Sequence, residues 1–415
     1  MIPGRKTPLL LCLAALALTC FCGRGLAAPD RERLRAMIGA SDPRVPGPVL
    51  EILTNAAGPL IAAETEFYIA QAVRWPVFEG VYGEGVWLRP RTAPVAAVVV
   101  VPDADQAPEE VAGLAASLAP ERQYGRRLAE NGCEVLIPVL LARQPVGADS
   151  SVSNAPSGAT RREWICRLGL PLGRHVVGFE VQKVLSAIDC LERENSKDGQ
   201  AGSEGRSGIE NGESARVGKM PLGVFGYGEG GLLAFYCAAL DTRIQAALVS
   251  GYFQVRSRIW DQPPERSIWG LAEEFNDAEI AMLVAPRVLV VEHSPAPGTN
   301  PPGGLRARRV KPDYEDVERE LERARALLKG GAADSEQPFK LISGTEGMAT
   351  GPGSDRGLEA LLAGLGVAVD GLKQPQKAAL DLRVSVDPAE RQRRQLRQLE
   401  EFTRGLYGKG RTSLK

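Results

Sequence analysis

Along this chain, short continuous aliphatic runs alternate with stretches whose apolar positions recur every three or four residues. These are the periods of buried strand and amphipathic helix. Residues 30–38 and 49–73 read as a helical N-terminal stretch, and residues 81–88 as a strand closed by Arg89-Pro90. Residues 95–101 are unbroken Val and Ala, as in a strand buried on both faces of a parallel sheet. A helix over 120–131 ends at Gly132, and the next buried strand is 134–139. Residues 174–194 place Val177, Val181, Leu185, Ile188 and Leu191 on one helical face. The polar, Gly- and Ser-rich segment 195–219 reads as a solvated insertion. Strands at 222–225, 246–250, 287–291 and 339–342 then alternate with helices at 228–240, 267–283, 313–329 and 358–365. The helix over 267–283 is centred on Trp269, Leu271 and Phe275. Such alternation predicts an α/β protein with a doubly wound, mostly parallel sheet. Beyond 366 the pattern breaks into a linker and a highly charged helix over 388–406, which either packs one narrow side on the domain or tethers it to something else.

The most informative segment is Gly223-Val224-Phe225-Gly226-Tyr227-Gly228-Glu229-Gly230-Gly231, a short strand turning through glycines straight into a helix. Small residues there let the chain reverse sharply, as a nucleophile elbow requires. On this segment, on Gly169-Leu170-Pro171-Leu172-Gly173-Arg174 before the long helix, and on residues 281–291 (AMLVAPRVLVV), the chain resembles the α/β-hydrolase superfamily. Within it, the dienelactone hydrolase and acetyl-xylan esterase-like group is most similar. The resemblance spans about residues 75–365. It implies an α/β-hydrolase domain there, preceded by a signal peptide (1–27) and a helical extension (28–74), and followed by the linker and charged helix (366–415).

Set against that family pattern, the catalytic positions are vacant. Gly228 stands where the resemblance places the serine nucleophile, and a glycine can form no acyl-enzyme. Ala296 stands where it places the acid. The histidine loop reads Gly344-Thr345-Glu346-Gly347-Met348, and no histidine follows His293. A triad in hydrolase chain order cannot be assembled. The resemblance thus points to a pseudoenzyme that binds or scaffolds, with an active hydrolase domain or a carbohydrate or ester ligand as partner. The alternatives are a carboxylic-ester hydrolase with a non-triad site near Glu292 and His293, and a carbohydrate- or small-ligand-binding protein.

Each remaining candidate has two readings. Glu292 and His293 at a strand end could activate water, or form a structural pair; as neighbours on a strand they point to opposite faces. Tyr227 either meets a ligand or packs. Glu229 either contacts a ligand or stabilises a helix N-terminus, worth about 0.3–1 kcal/mol. His175 either faces a ligand or hydrogen-bonds at a helix start. Asp103 and Asp105, where hydrolases carry the oxyanion loop, read as turn formers on a solvated loop; pointing inward, they would oppose a developing oxyanion. Ser250 ends a strand with no histidine predicted nearby, and Tyr252, Phe253 and Trp260 either line a cleft or pack under a lid.

Composition narrows the classes further. A formal net charge of −1 with no basic block leaves no electrostatic footprint for nucleic acid. Arg5 and Lys6, an apolar run over 9–21 and Gly25-Leu26-Ala27 form a signal-peptide pattern with cleavage before Ala28, so the chain is expected to be exported to the periplasm or cell exterior, without a membrane span in the mature part. Cys20 and Cys22 admit a lipoprotein reading, but the residues preceding them are unsuitable. Of seven cysteines, Cys133, Cys166, Cys190 and Cys237 remain after cleavage, too sparse for a disulfide scaffold. With only two histidines, neither near a cysteine pair, no metal site and no cofactor are expected.

Overall fold

The computed structural model describes residues 29–53, 61–147, 155–156, 158–204, 219–256, 262–295, 297, 312–329, 338–368, 370–375, 379, 381–383 and 387–412. The leader pattern over 1–27, Ala296 and Trp260 lie outside the described residues.

Ten strands form one sheet: β1 (Glu51–Ile52), β2 (Ala63–Glu64), β3 (Tyr68–Phe78), β4 (Val81–Pro90), β5 (Ala96–Val101), β6 (Cys133–Pro138), β7 (Leu222–Tyr227), β8 (Ile244–Ser250), β9 (Val288–Glu292) and β10 (Phe339–Ile342). The spatial order is β1-β3-β4-β6-β5-β7-β8-β9-β10, with β2 also on β3. From β6 onward all neighbours are parallel, whereas β1 to β4 are antiparallel, as is the β4–β6 pair. At the centre Val98 pairs with Val135 on one side and Gly223 on the other, so the strands with unbroken aliphatic sequence sit innermost.

The helices are α1 (Arg31–Met37), α2 (Pro108–Val111), α3 (Tyr124–Glu130), α4 (Arg161–Gly169), α5 (Val176–Glu204), α6 (Glu229–Leu240), α7 (Leu271–Glu274), α8 (Asp277–Val284), α9 (Tyr314–Lys329), α10 (Asp355–Gly364) and α11 (Pro388–Thr412). One sheet face is covered by α1, α4, α5, α6, α8, α9 and α11. The other is covered by α3 and α10, with Tyr124, Leu128, Leu358, Leu361 and Leu362 buried. Two-sided burial explains why β5 and β7 carry no polar residue.

Four expectations need correction. Residues 49–73 are not helical: they form β1, β2 and most of β3, with Glu51 opposite Arg74. The β-branched and aromatic run from Tyr68 to Phe78 settles on the sheet because Tyr68, Ala70, Val73 and Trp75 bury there. Since β3 runs through residue 74, no boundary separates a 28–74 extension from the sheet. The segment from 195 begins not as a loop but as the end of α5, which continues to Glu204. The helix expected over 267–283 is two, split at Phe275–Asn276, and Trp269 precedes both and is 90% exposed.

The charged C-terminal helix follows the first of its two readings: α11 packs one side on the domain. Leu396 and Leu399 are buried, and Phe402 stacks on Phe78 at 4.8 Å. Its charges meet fixed partners. Arg391 forks onto Glu109 (2.9 Å twice), Arg394 onto Glu84 (2.8 and 2.6 Å), and Glu400 accepts the Trp164 indole N–H at 2.7 Å. Gln395 accepts from the buried Lys183 ammonium at 2.9 Å. Truncating Leu396 to Ala should therefore lower unfolding stability by about 2–5 kcal/mol, as for a core leucine. Urea denaturation measures this, and a change under about 0.5 kcal/mol, typical of a free surface, would refute the docked geometry.

Candidate active site and the ion cluster that fills it

β7 enters the turn through Gly226 and leaves it at Gly228, which has φ +59° and ψ −113° and leads directly into α6. The flanking glycines are dictated by closeness. A Cβ on Gly226 would lie 1.9 Å from the Gly230 carbonyl oxygen, and one on Gly230 would lie 2.0 Å from that of Val101. The strand–turn–helix geometry of an elbow is thus present.

At Gly228, however, a side chain has nowhere to go. Its Cβ would sit 2.6 Å from Asp103 Oδ1 and 2.6 Å from Pro297 Cγ. Asp103 is not on a solvated turn as its position suggested; it is 1% exposed. Its Oδ1 accepts the Glu229 backbone N–H at 2.9 Å. In the elbow architecture the N–H after the nucleophile is an oxyanion-hole donor. Here that donor is satisfied by the chain's own carboxylate.

Asp103 is held in turn by Arg143, whose guanidinium forks onto it with Nη1 to Oδ2 at 2.6 Å and Nη2 to Oδ1 at 2.8 Å. Arg143 Nη1 also reaches the half-exposed Asp105 at 2.9 Å. The Glu229 side chain turns inward as well. It is fully buried and accepts from Arg162 at 2.9 Å, Arg266 at 2.7 Å and Arg143 at 3.3 Å. Arg162 continues to Glu180 at 2.6 Å. Burial pulls the Arg143 and Arg162 guanidinium groups toward the neutral form, but the carboxylates around them outweigh it and hold both above the usual arginine value. The helix-terminus reading of Glu229 therefore captures its position and misses its partners.

The other candidates do not converge on this point. Glu292 is buried, and both carboxylate oxygens are occupied. Oε2 accepts from Ser250 Oγ at 2.6 Å and the Gly353 N–H at 2.9 Å; Oε1 accepts from the Ser354 N–H at 2.8 Å and its hydroxyl at 2.5 Å. It ties β8 and β9 to the start of α10. His293 turns elsewhere: Nδ1 lies 2.9 Å from the Gly347 carbonyl oxygen and Nε2 3.4 Å from that of Pro312. The two residues share no partner, as opposed strand faces require. Tyr227 donates its hydroxyl to the Pro295 carbonyl at 2.7 Å, while Tyr252 and Phe253 are buried, packing rather than lining a cleft.

His175 is 4% exposed at the start of α5. Its Nδ1 accepts the Val177 N–H at 3.2 Å, which assigns the proton to Nε2, facing the Pro264 carbonyl oxygen at 3.3 Å and Cys166 Sγ at 3.4 Å. Burial pushes its pKa down to about 4, and burial pushes Cys166 well up, so the pair is a neutral packing contact. Among the described residues no cluster of His, Cys, Asp and Glu could hold a metal ion, the four cysteines are buried, and no helix is long and apolar enough to cross a membrane.

Comparison with solved structures places this arrangement in a known fold. A methylesterase matches with a TM-score of 0.50 at 13% identity, over 96% of this chain and 79% of that one. A glucuronoyl esterase from Solibacter usitatus matches at 13% identity and a TM-score of 0.46, over 81% of this chain and 91% of its own. An acetyl xylan esterase from Thermoanaerobacterium matches at 12% identity and 0.40, over 87% and 99%. No family model and no curated protein matches the sequence. The sheet order, the elbow and the methylesterase likeness identify an α/β-hydrolase fold.

Two outcomes follow from this geometry. Gly228→Ala should cost about 2–6 kcal/mol, combining backbone strain with displacement of Asp103. Gly80→Ala, also at positive φ (+77°) but with nothing within 4 Å, should cost only about 1–2 kcal/mol. Equal losses in denaturant titration would show that the space beside Gly228 is free. The second outcome concerns pH. Unfolded His175 takes up a proton below its ordinary value of 6.5, whereas the folded form stays neutral down to about 4. Stability is thus complete above pH 6.5 and falls by up to about 3 kcal/mol as pH drops toward 4. His175→Gln should flatten unfolding free energies measured between pH 7 and 5; an unchanged slope would refute the buried neutral state.

Proposed function

We propose that this α/β-hydrolase-fold protein does not perform acyl transfer at its elbow and acts as a binding or scaffolding domain. Its partner on this reading is an active hydrolase domain, with a carbohydrate or ester ligand as the small-molecule alternative. The observation that carries the proposal is the filled nucleophile space: Asp103 Oδ1 lies 2.6 Å from where a Gly228 side chain would begin and already binds the amide that would stabilise an oxyanion. A negative charge at that amide would repel the oxyanion that ester hydrolysis must build. The neighbouring esterases lend the fold a precedent in ester chemistry, but their reaction is not carried over, because no side chain at position 228 can attack. Glu292 and His293 supply no substitute dyad, since each is committed to separate partners. The leader pattern over residues 1–27 supports export as part of the same reading.

The test is hydrolysis of p-nitrophenyl acetate and acetylated xylan by the mature protein beside Gly228→Ser and His293→Ala variants. The expected result is no turnover above buffer in any of them, the serine variant included, because its hydroxyl would face a carboxylate already held by Arg143, with both histidines engaged elsewhere. Turnover by the wild type that His293→Ala abolishes would overturn the proposal and place chemistry at the end of β9.

A further inference from the structure

We infer that the elbow is a preformed carboxylate-binding site which the chain fills with its own Asp103, and that a free small carboxylate occupies it once that side chain is removed. The inference rests on the reading above that the elbow is filled, and extends it by assigning the pocket a ligand class.

Three features carry it. The first is geometry. Asp103 is gripped as a ligand would be, by the two-pronged Arg143 fork at 2.6 and 2.8 Å and by the Glu229 amide at 2.9 Å. Fork-to-carboxylate pairing matches two parallel donors to two oxygens of one group, and it favours an oxyanion over monatomic chloride, while the space an Asp carboxyl fills suits a small carboxylate. The amide belongs to the first residue of a twelve-residue helix, whose dipole adds to the same preference.

The second feature is that the donors are fixed from behind, independently of Asp103. Arg143 Nη2 also reaches Glu229, which Arg162 and Arg266 hold in place. The segment just before Arg143 is pinned from both sides. The Gln392 amide bonds the Leu140 carbonyl at 2.8 Å and the Ala142 N–H at 2.9 Å, while the Leu141 N–H and carbonyl are taken by Glu180 at 2.8 Å and Arg162 at 3.0 Å. Loss of Asp103 therefore leaves the donors in position.

The third feature is charge. Among the described residues Arg143, Arg162 and Arg266 pair with Asp103, Glu180 and Glu229, all nearly buried, and the buried Glu265 also acts on Arg162 and Arg143. Removing Asp103 takes from Arg143 its forked carboxylate, leaving it the part-exposed Asp105 and the 3.3 Å contact with Glu229. Stripping a buried charge of its main partner is strongly destabilising, so an anion of the right shape is drawn in.

Asp103→Gly deletes an acetate-sized group, and Asp103→Asn fills the same volume without the charge. Thermal unfolding of both, and of the wild type, is followed against sodium acetate and sodium formate, with sodium chloride at matched ionic strength. The expected result is a saturable rise in Tm of Asp103→Gly with acetate or formate, about 2–4 °C at tenfold above the half-saturating concentration, and a flat response in chloride. Wild type and Asp103→Asn should not respond. A folded Asp103→Gly that responds to acetate no more than to chloride, or no more than the wild type does, would overturn the inference. Should Asp103→Gly fail to fold in chloride, refolding yield replaces Tm as the readout. Yield restored by acetate supports the site, and equal failure in both salts overturns it. Ester turnover by the wild type would sink the functional reading while leaving this readout unchanged, so the two can fail separately.

Discussion

The C-terminal edge of this sheet is organised around one connected set of buried charges. Glu229, at the first turn of the helix that leaves the elbow, gathers three arginines from three segments: the loop after β6, the start of α4 and the loop before α7. The last of these lies about a hundred residues beyond the other two, and none would hold its guanidinium in an apolar interior without the carboxylates opposite. Replacing the whole set by hydrocarbon could be neutral in stability, but removing one member strands the others. The loops above the elbow are therefore committed together. The nucleophile position at the elbow is filled by the same interactions.

The parallel half of the fold was legible because its strands leave little choice. Residues 95–101 and 222–227 bury on both faces, and their unbroken apolar sequence says so. The antiparallel half, β4 excepted, was not, because strands facing a core on one side and helices or solvent on the other tolerate the alanines and scattered charges of a helical pattern. Tyr68 to Phe78 is such a case, alternating only loosely between buried and partly buried positions. Trp269 misled in the opposite direction: a large aromatic reads as core, yet among the described residues it stands almost fully exposed. The helix over 388–412 was visible as a helix, with packing on the domain as one of two readings, but its partners were not, since most of its anchoring side chains are charged or amidic and find those partners across more than two hundred residues of sequence.

At the site, sequence reading located the elbow and the missing nucleophile, because glycine spacing and residue identity are local facts. It did not reveal what replaced the nucleophile. Asp103 looked like a turn former on a loop, and Arg143, Arg162 and Arg266 were not singled out at all. Burial of an arginine is a tertiary property decided by where its partner arrives, and no periodicity encodes that. One local hint was available: Arg143 directly follows the apolar run Val139-Leu140-Leu141-Ala142, an awkward place for a charge unless an acid waits inside.

The docking of the final helix also bears on the order in which the molecule can be completed. Residues 388–412 supply the acceptor for the Trp164 indole, one for the buried Lys183 ammonium, the guanidinium opposite Glu84, and the aromatic ring that covers Phe78. All four of those partners lie in the first half of the chain. A nascent polypeptide from which residues 388–412 have not yet emerged thus lacks those partners and leaves an aromatic surface bare. Cooperative closure must wait for residues 388–412, and a chain broken before residue 388 would be recognised by chaperones and proteases as unfinished rather than as a smaller, intact domain.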